Sequence, residues 1–210
     1  MALPIVYGPA GCTGVWSVRL ALAEKGAVHE LVEVPFDDRR EARYLARQPF
    51  GKFPAFEHDD FALYETQAIM RYVDERFPGA PLQPEEVHEW SRMNQLIGIV
   101  DAYARPGIAG ILDNRRRVTR HGGGVDEAAV AAALPNARLC LAEIERLAAD
   151  HPFLTGVHVS LADLMVLPIL YRLAGVVEGR ALLTEHPQLE AWVPRMTARQ
   201  SFQVTKPADA

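Results

Sequence analysis

The chain is predicted to fold as a small α/β domain followed by an all-helical one. Three observations carry this. By hydrophobic periodicity, the first 80 residues read β-α-β-(α)-β-β-α. The stretch "FPGAPLQPEE" then sets three prolines within the seven residues from Pro78 to Pro84, which reads as a linker. Beyond it every periodic segment has helical spacing and none reads as a strand. The expected division is a first domain over 1–79, a linker over 80–85 and a helical domain over 86–210.

Each element has a local reason. "LPIVYG" is a short β-branched run stopped by Gly8-Pro9, a strand. From Thr13 to Lys25 the apolar residues Val15, Val18, Leu20, Leu22 and Ala23 suit a helix, with Gly26 as its C-cap. "VHELVEVPF" alternates as a second strand, and "DDRREARYLARQPFGK" is polar with room for a short helix. "FPAFEHDDFALYE" reads as two strands joined by a tight turn at His58-Asp59-Asp60. "ETQAIMRYVDERFPG" reads as a helix stopped by Pro78-Gly79. In the second part, helices are predicted over 85–112, 126–149, 160–174 and 187–200, with a polar, Gly-rich connection over 115–127. Ser160 and Asp163 form a capping-box variant at the start of the third of these, and Pro168 is expected to bend it.

Composition narrows the function classes. The 210 residues are 49% hydrophobic and 23% charged, which is ordinary for a globular chain. A net charge of −5 argues against a broad nucleic-acid surface, although "RRR" at 115–117 is a local basic spot. No apolar run reaches the ~18 residues of a membrane span. The N-terminus shows no secretory signal, and the two cysteines cannot make a disulfide framework, so the expected location is a reducing cytoplasm. Seven histidines are scattered without metal-ligand spacing, so no metal is expected. Cys140 occupies an apolar helical position and reads as a buried small hydrophobe. Cys12, in "YGPAGCTGVWSVRLALAEKG", is open to several readings: small hydrophobe, disulfide half, metal ligand or nucleophile.

Four stretches in order make the chain resemble a cytosolic glutathione transferase, a bacterial-type member by expectation. These are "SVRLALAEKG" (17–26), "QPFGKFPAFEHDDFALYETQAIMRYV" (48–73), "LTGVHVSLADLMVLPIL" (154–170) and "HPQLEAWVPRMTARQSF" (186–202), which together span most of the sequence. The resemblance implies a thioredoxin-like first domain that binds glutathione as co-substrate. It implies a cis peptide at Phe53-Pro54, with the main chain of Phe53 pairing with the tripeptide as an added strand. Thr66, at a helix N-terminus, would hold the γ-glutamyl carboxylate. Glu65 would take the ammonium, and Lys52, Arg39 and Arg40 the glycine carboxylate.

Laid against the family's first helix, the catalytic position of the serine-type classes (phi, zeta) and of the omega-like cysteine type falls fourteen residues before Gly26, on Cys12. A helix N-terminus there favours a thiolate. Val15 stands where a C-x-x-C pair would need its second cysteine, so the site is monothiol. Two roles compete. Cys12 is the nucleophile of a thiol transferase or reductase, passing through a mixed disulfide with glutathione. Alternatively it helps hold the glutathione thiolate of a detoxifying conjugase, a task that Thr13 or Tyr7 would otherwise perform. Ser17 reads as structural. A maleylacetoacetate-type isomerase and a non-catalytic scaffold are further alternatives; no class of the family fits cleanly.

The small electrophile or disulfide is expected against the first long helix of the second domain, where Trp90, Met93, Tyr103 and Arg105 lie, with Tyr103 and Arg105 as the pocket residues. The resemblance implies a twofold homodimer, for which Phe50 is the expected apolar key. Neither nucleic acid nor membrane is expected as a partner.

Overall fold

A computed structural model describes residues 2–121, 124–148 and 150–208, apart from the side chains of 116–121. They form two compact units. The first runs to Gln83 and takes in the C-terminal stretch from Ala198; the second is Pro84–Thr197. The boundary between the units lies within the stretch read as a linker, and the chain from Ala198 groups with the first unit.

The first unit is built on a four-stranded sheet in the order β2-β1-β3-β4. Its strands are β1 (Ile5–Tyr7), β2 (Glu30–Val32), β3 (Ala55–His58) and β4 (Phe61–Tyr64). β1 pairs parallel with β2 and antiparallel with β3, which pairs antiparallel with β4. Asp59, at φ 54°, closes the β3–β4 hairpin. Helix α1 (Thr13–Glu24) follows β1; a 3-10 turn (Phe36–Arg40) and the single turn α2 (Ala42–Leu45) follow β2; α3 (Thr66–Arg76) follows β4.

Side chains alternate between the two faces of the sheet. Phe56 meets Tyr72 of α3 at 5.7 Å, whereas Ala55 packs with Tyr7 and Tyr44 on the α2 side. Buried Val15, Trp16, Val18, Leu20 and Leu22 of α1 and Ile69, Met70 and Val73 of α3 fill the other layer.

Two polar devices close this unit. Lys25, at the C-cap of α1, is buried against Asp74 of α3 at 3.0 Å and also donates to the carbonyl of Ala80 at 3.1 Å. Asp74 in turn accepts from the Leu82 N–H at 2.8 Å, which ties the start of the linker to the two helices. The C-terminus supplies the second device. A single helix was expected over 187–200, but α9 (Pro187–Thr197) ends and a separate α10 (Gln200–Thr205) begins. Charge pairing and aromatic packing explain the break. Arg199 grips Glu24 with both Nε and Nη2 (2.8 and 2.7 Å), and the Ser201 hydroxyl donates to the same carboxylate at 2.5 Å. Trp16 donates to Thr205 Oγ1 at 3.1 Å and stacks on Phe202 at 5.4 Å.

In the second unit α4 (Val87–Ile99) passes through a π-helical turn (Val100–Ala104) into α5 (Arg105–His121), followed by α6 (Glu127–Leu147), α7 (Leu161–Ala174), α8 (Val177–Thr184) and α9. The helix expected over 85–112 therefore changes register and runs on to His121. Pro106 accounts for the register change, since it has no N–H to give; the Arg105 N–H reaches back five residues to the Val100 carbonyl. The predicted connection over 115–127 is shorter than expected because Arg115 remains helical, paired with Glu127 at 3.1 Å and with Glu178. The side chains of Arg116 and Arg117 in the basic run, and Gly122 and Gly123 of that connection, lie outside the described residues. Helix α8 was not foreseen. Helix α7 runs through Pro168, and its capping box is present. Asp163 accepts from the Ser160 N–H (2.9 Å), the Ser160 hydroxyl (2.7 Å), the Leu154 N–H (2.9 Å) and Trp192 Nε1 (3.1 Å). Cys140 is buried in α6, and burial pushes its thiol up.

The grip on Glu24 gives a pH dependence. Burial alone raises its carboxyl, but the bonds from Arg199 and Ser201 outweigh this and hold it below the ordinary range. A carboxyl lowered by folding stabilises the fold above its unfolded pKa, and that contribution is lost as pH falls through the folded value. Glu24→Gln is expected to be less stable than the parent at pH 7 by roughly 1–2 kcal/mol. In urea denaturation the gap should close as pH drops below about 4.

Candidate functional site

Sheet register gathers the predicted residues at one end of the first unit. Tyr7 sits opposite Ala55, and Ala55 opposite Tyr64. The residues just beyond this row are Gly8, Pro54 and Glu65, so three chain turns meet at one sheet edge.

The first turn leads into α1. Gly8 has φ +141°, and a Cβ there would lie 2.7 Å from Val15 Cγ2 and 2.9 Å from Phe53 Cδ1. Only a residue without a side chain lets β1, α1 and Phe53 approach so closely. The Gly8 N–H donates to the Val32 carbonyl at 3.1 Å, and the Ala10 N–H to the Glu33 carboxylate at 3.1 Å. Cys12 is the N-cap of α1, with extended φ −73° and ψ 129°. Its carbonyl accepts the helix's opening bond from the Trp16 N–H at 2.9 Å. Its thiol is in no disulfide, is partly exposed and makes no capping bond to the first turn of α1. Thr13 follows as the first helical residue, and Ser17 donates back to the Thr13 carbonyl at 3.0 Å, a structural bond.

In the second turn the Phe53–Pro54 peptide is cis. Gly51, at φ +61°, packs against the Arg39 carbonyl and the Arg40 side chain, where a Cβ would stand at 3.0 and 3.1 Å. That contact brings Arg40 to the loop carrying Lys52; both are exposed. Arg39 is folded onto its own turn, donating to the Phe36 carbonyl at 2.7 Å with its guanidinium 4.3 Å above the Phe36 ring.

The third turn holds Glu65 at φ +73°, a conformation costly for a non-glycine residue, as the N-cap of α3. Glu65 is exposed, and Thr66 is buried at the first position of the helix.

The Tyr7 hydroxyl is engaged by a carboxylate. It donates to Glu57 at 2.5 Å, Glu57 pairs with Arg47 at 3.0 Å, and Arg47 lies 4.7 Å over the Tyr7 ring. Burial first, then the bond to Glu57, raises the Tyr7 phenol above its usual value.

The remaining candidates lie in the second unit. Tyr103 is exposed on the π-helical turn, and Arg105 pairs with Asp101 at 3.2 Å. Met93 is fully buried in the core, whereas Trp90 is 46% exposed.

Sequence reasoning missed Tyr44 and Gln48, both buried behind the second turn. Burial first, and then the charge of Cys12, push the Tyr44 phenol far up. A tyrosine and a glutamine four residues apart, just ahead of "PFGKFP", were the available signal.

The model of the glutathione S-transferase N-terminal domain matches residues 6–81, and that of the C-terminal domain matches 127–195. The chain belongs to the glutathione S-transferase family. Glutathione S-transferase F10 of Arabidopsis thaliana is 27% identical over 94% of this chain and 93% of its own. A probable glutathione S-transferase GSTF1 of Oryza sativa is 29% identical over 93% and 92%. Among solved structures, glutathione transferase F7 of Populus trichocarpa superposes with a TM-score of 0.86 at 27% identity, covering 97% of each chain. These support a glutathione transferase with glutathione as co-substrate; the bacterial-type expectation is not borne out by these plant relatives. No helix among the described residues is long and apolar enough to cross a membrane, and no metal-ligand cluster occurs among them.

The contact at Gly8 is testable. Gly8→Ala is expected to destabilise the protein by about 1–3 kcal/mol. It should also change the rate at which iodoacetamide labels Cys12, read by mass spectrometry.

Proposed function

We propose that this glutathione transferase uses Cys12 as a nucleophile toward glutathione mixed disulfides. One observation carries the reading: the Cys12 thiol stands at the N-terminus of α1 with no capping bond of its own. The engagement of Tyr7 with Glu57 supports it, because it removes the rival hydroxyl.

The chemistry balances with glutathione alone. The Cys12 thiolate attacks the glutathionyl sulfur of the mixed disulfide, and the partner leaves as its thiolate. A second glutathione thiolate attacks the Cys12–glutathione disulfide, releasing glutathione disulfide and restoring Cys12. In this reading the main chain of Phe53 at cis-Pro54 pairs with the tripeptide, Thr66 and the α3 N-terminus hold its γ-glutamyl carboxylate, and Glu65 holds its ammonium. Lys52 and Arg40 meet the glycine carboxylate; Arg39 serves by bracing the turn beside them. Tyr103 and Arg105 border the second substrate. The protein works as a homodimer, with Phe50, 61% exposed and edge-on to Tyr64, as the apolar contact.

The test compares parent and Cys12→Ala in glutathione-dependent reduction of hydroxyethyl disulfide, with aryl-halide conjugation on the same samples. The proposal predicts a loss of reductase activity of at least about 100-fold, with the thermal midpoint unchanged. Weak reduction by the parent, beside conjugation that survives in the variant, would return the protein to plain conjugation with Thr13 or main-chain N–H groups at the glutathione sulfur.

A further inference from the structure

Lys52 immediately precedes the cis Phe53–Pro54 peptide, and buried side chains hold both polar atoms of its main chain. Its N–H donates to Gln48 Oε1 at 3.1 Å, and its carbonyl accepts from the Tyr44 hydroxyl at 2.7 Å. Tyr44 is 3% exposed and Gln48 1%. The two are themselves joined, since the Gln48 N–H donates to the Tyr44 carbonyl at 3.0 Å. The Gly51 N–H closes the turn on the Gln48 carbonyl, also at 3.0 Å. The Tyr44 ring packs on Phe53 at 4.9 Å.

A regular loop satisfies its main chain with water or neighbouring backbone, so dedicating two buried side chains to one exposed residue calls for a reason. The next residue supplies it. Phe53 is where the peptide backbone of glutathione is read as pairing, and a strand-like pairing depends on the orientation of the main chain that enters it. Fixing that main chain beforehand removes an ordering cost from binding.

Resting on the glutathione reading above, we infer that Tyr44 and Gln48 are positioning residues for glutathione: they clamp Lys52 so that Phe53 meets the tripeptide preorganised. Burial raises the Tyr44 phenol above its usual value, so its hydroxyl remains a donor to the Lys52 carbonyl at neutral pH.

Titration calorimetry of the full chain with glutathione tests this, using Tyr44→Phe, which keeps the ring and deletes only the donor, and Gln48→Ala. Each is expected to bind glutathione three- to tenfold more weakly, in line with the loss of one hydrogen bond (roughly 1 kcal/mol). Because both act on Lys52, the double variant should lose less than the product of the two. Steady-state assays should show a raised KM for glutathione with little change in KM for the disulfide. Variants that melt at a lower temperature but bind glutathione as the parent does would overturn the inference and leave the glutathione reading standing. A parent that binds no glutathione would overturn both.

Discussion

The site depends on register in a very small sheet. Each strand is only three or four residues long, and one row of partners, Tyr7 with Ala55 and Ala55 with Tyr64, fixes where three chain segments leave it. A slip of one residue would exchange the two faces. Phe56 would then turn to α2 and Tyr7 to α1, and Gly8, Pro54 and Glu65 would no longer leave the sheet together. Burial on both faces forbids the slip: Val6 and Phe56 are fully buried, and Tyr7, Tyr44 and Ala55 pack on the other side. The hydrophobic pattern that folds the sheet is therefore also what assembles the site.

Around that register the protein uses different means at each turn. Beside Gly8 it omits a side chain, which lets α1 begin close to Phe53 and sets Cys12 on the helix cap. Behind Lys52 it spends two buried polar side chains on one exposed residue. At Glu65 it holds a non-glycine residue at positive φ, at a cost of order 1–3 kcal/mol, so that α3 starts where the sheet ends. The far end of α1 is secured by charge, through Lys25 with Asp74 and Glu24 with Arg199. A helix fixed at its C-terminus by two ion pairs and along its length by Trp16 and Phe202 presents its N-terminus, and the thiol on it, in a defined place.

Much of this was legible in the sequence. The order of elements in the first unit follows from periodicity and turn residues, because each segment there carries its own signal: Gly26 after α1, Asp59-Asp60 in the hairpin, Pro78-Gly79 after α3. Cys12 was singled out by its distance to Gly26 through the family resemblance, and the structure places it at the N-cap of α1. The engagement of Tyr7 with Glu57 was not legible, because alternation tells that Val6 and Tyr7 face opposite ways but not which partners each face offers. Tyr44 and Gln48 left only their spacing ahead of "PFGKFP" as a signal, because their target is main chain, which leaves no trace in composition. In the second unit, Pro106 was a legible cause for the π-helical turn, but the shift it produced needed the surrounding helix. The separation of α10 from α9 arises from Glu24, which lies 175 residues earlier than Arg199, so no local window holds both.

On the proposed mechanism, Cys12 is the residue that takes up glutathione. The most direct measurement is the intact mass of the native protein after incubation with glutathione disulfide, with peptide mapping and a Cys12→Ser control. The expected result is one glutathionyl adduct, on Cys12, that fresh glutathione removes and that the control lacks; Cys140, buried in α6, stays unmodified. An unmodified Cys12, or an adduct that forms equally in the control, would contradict it.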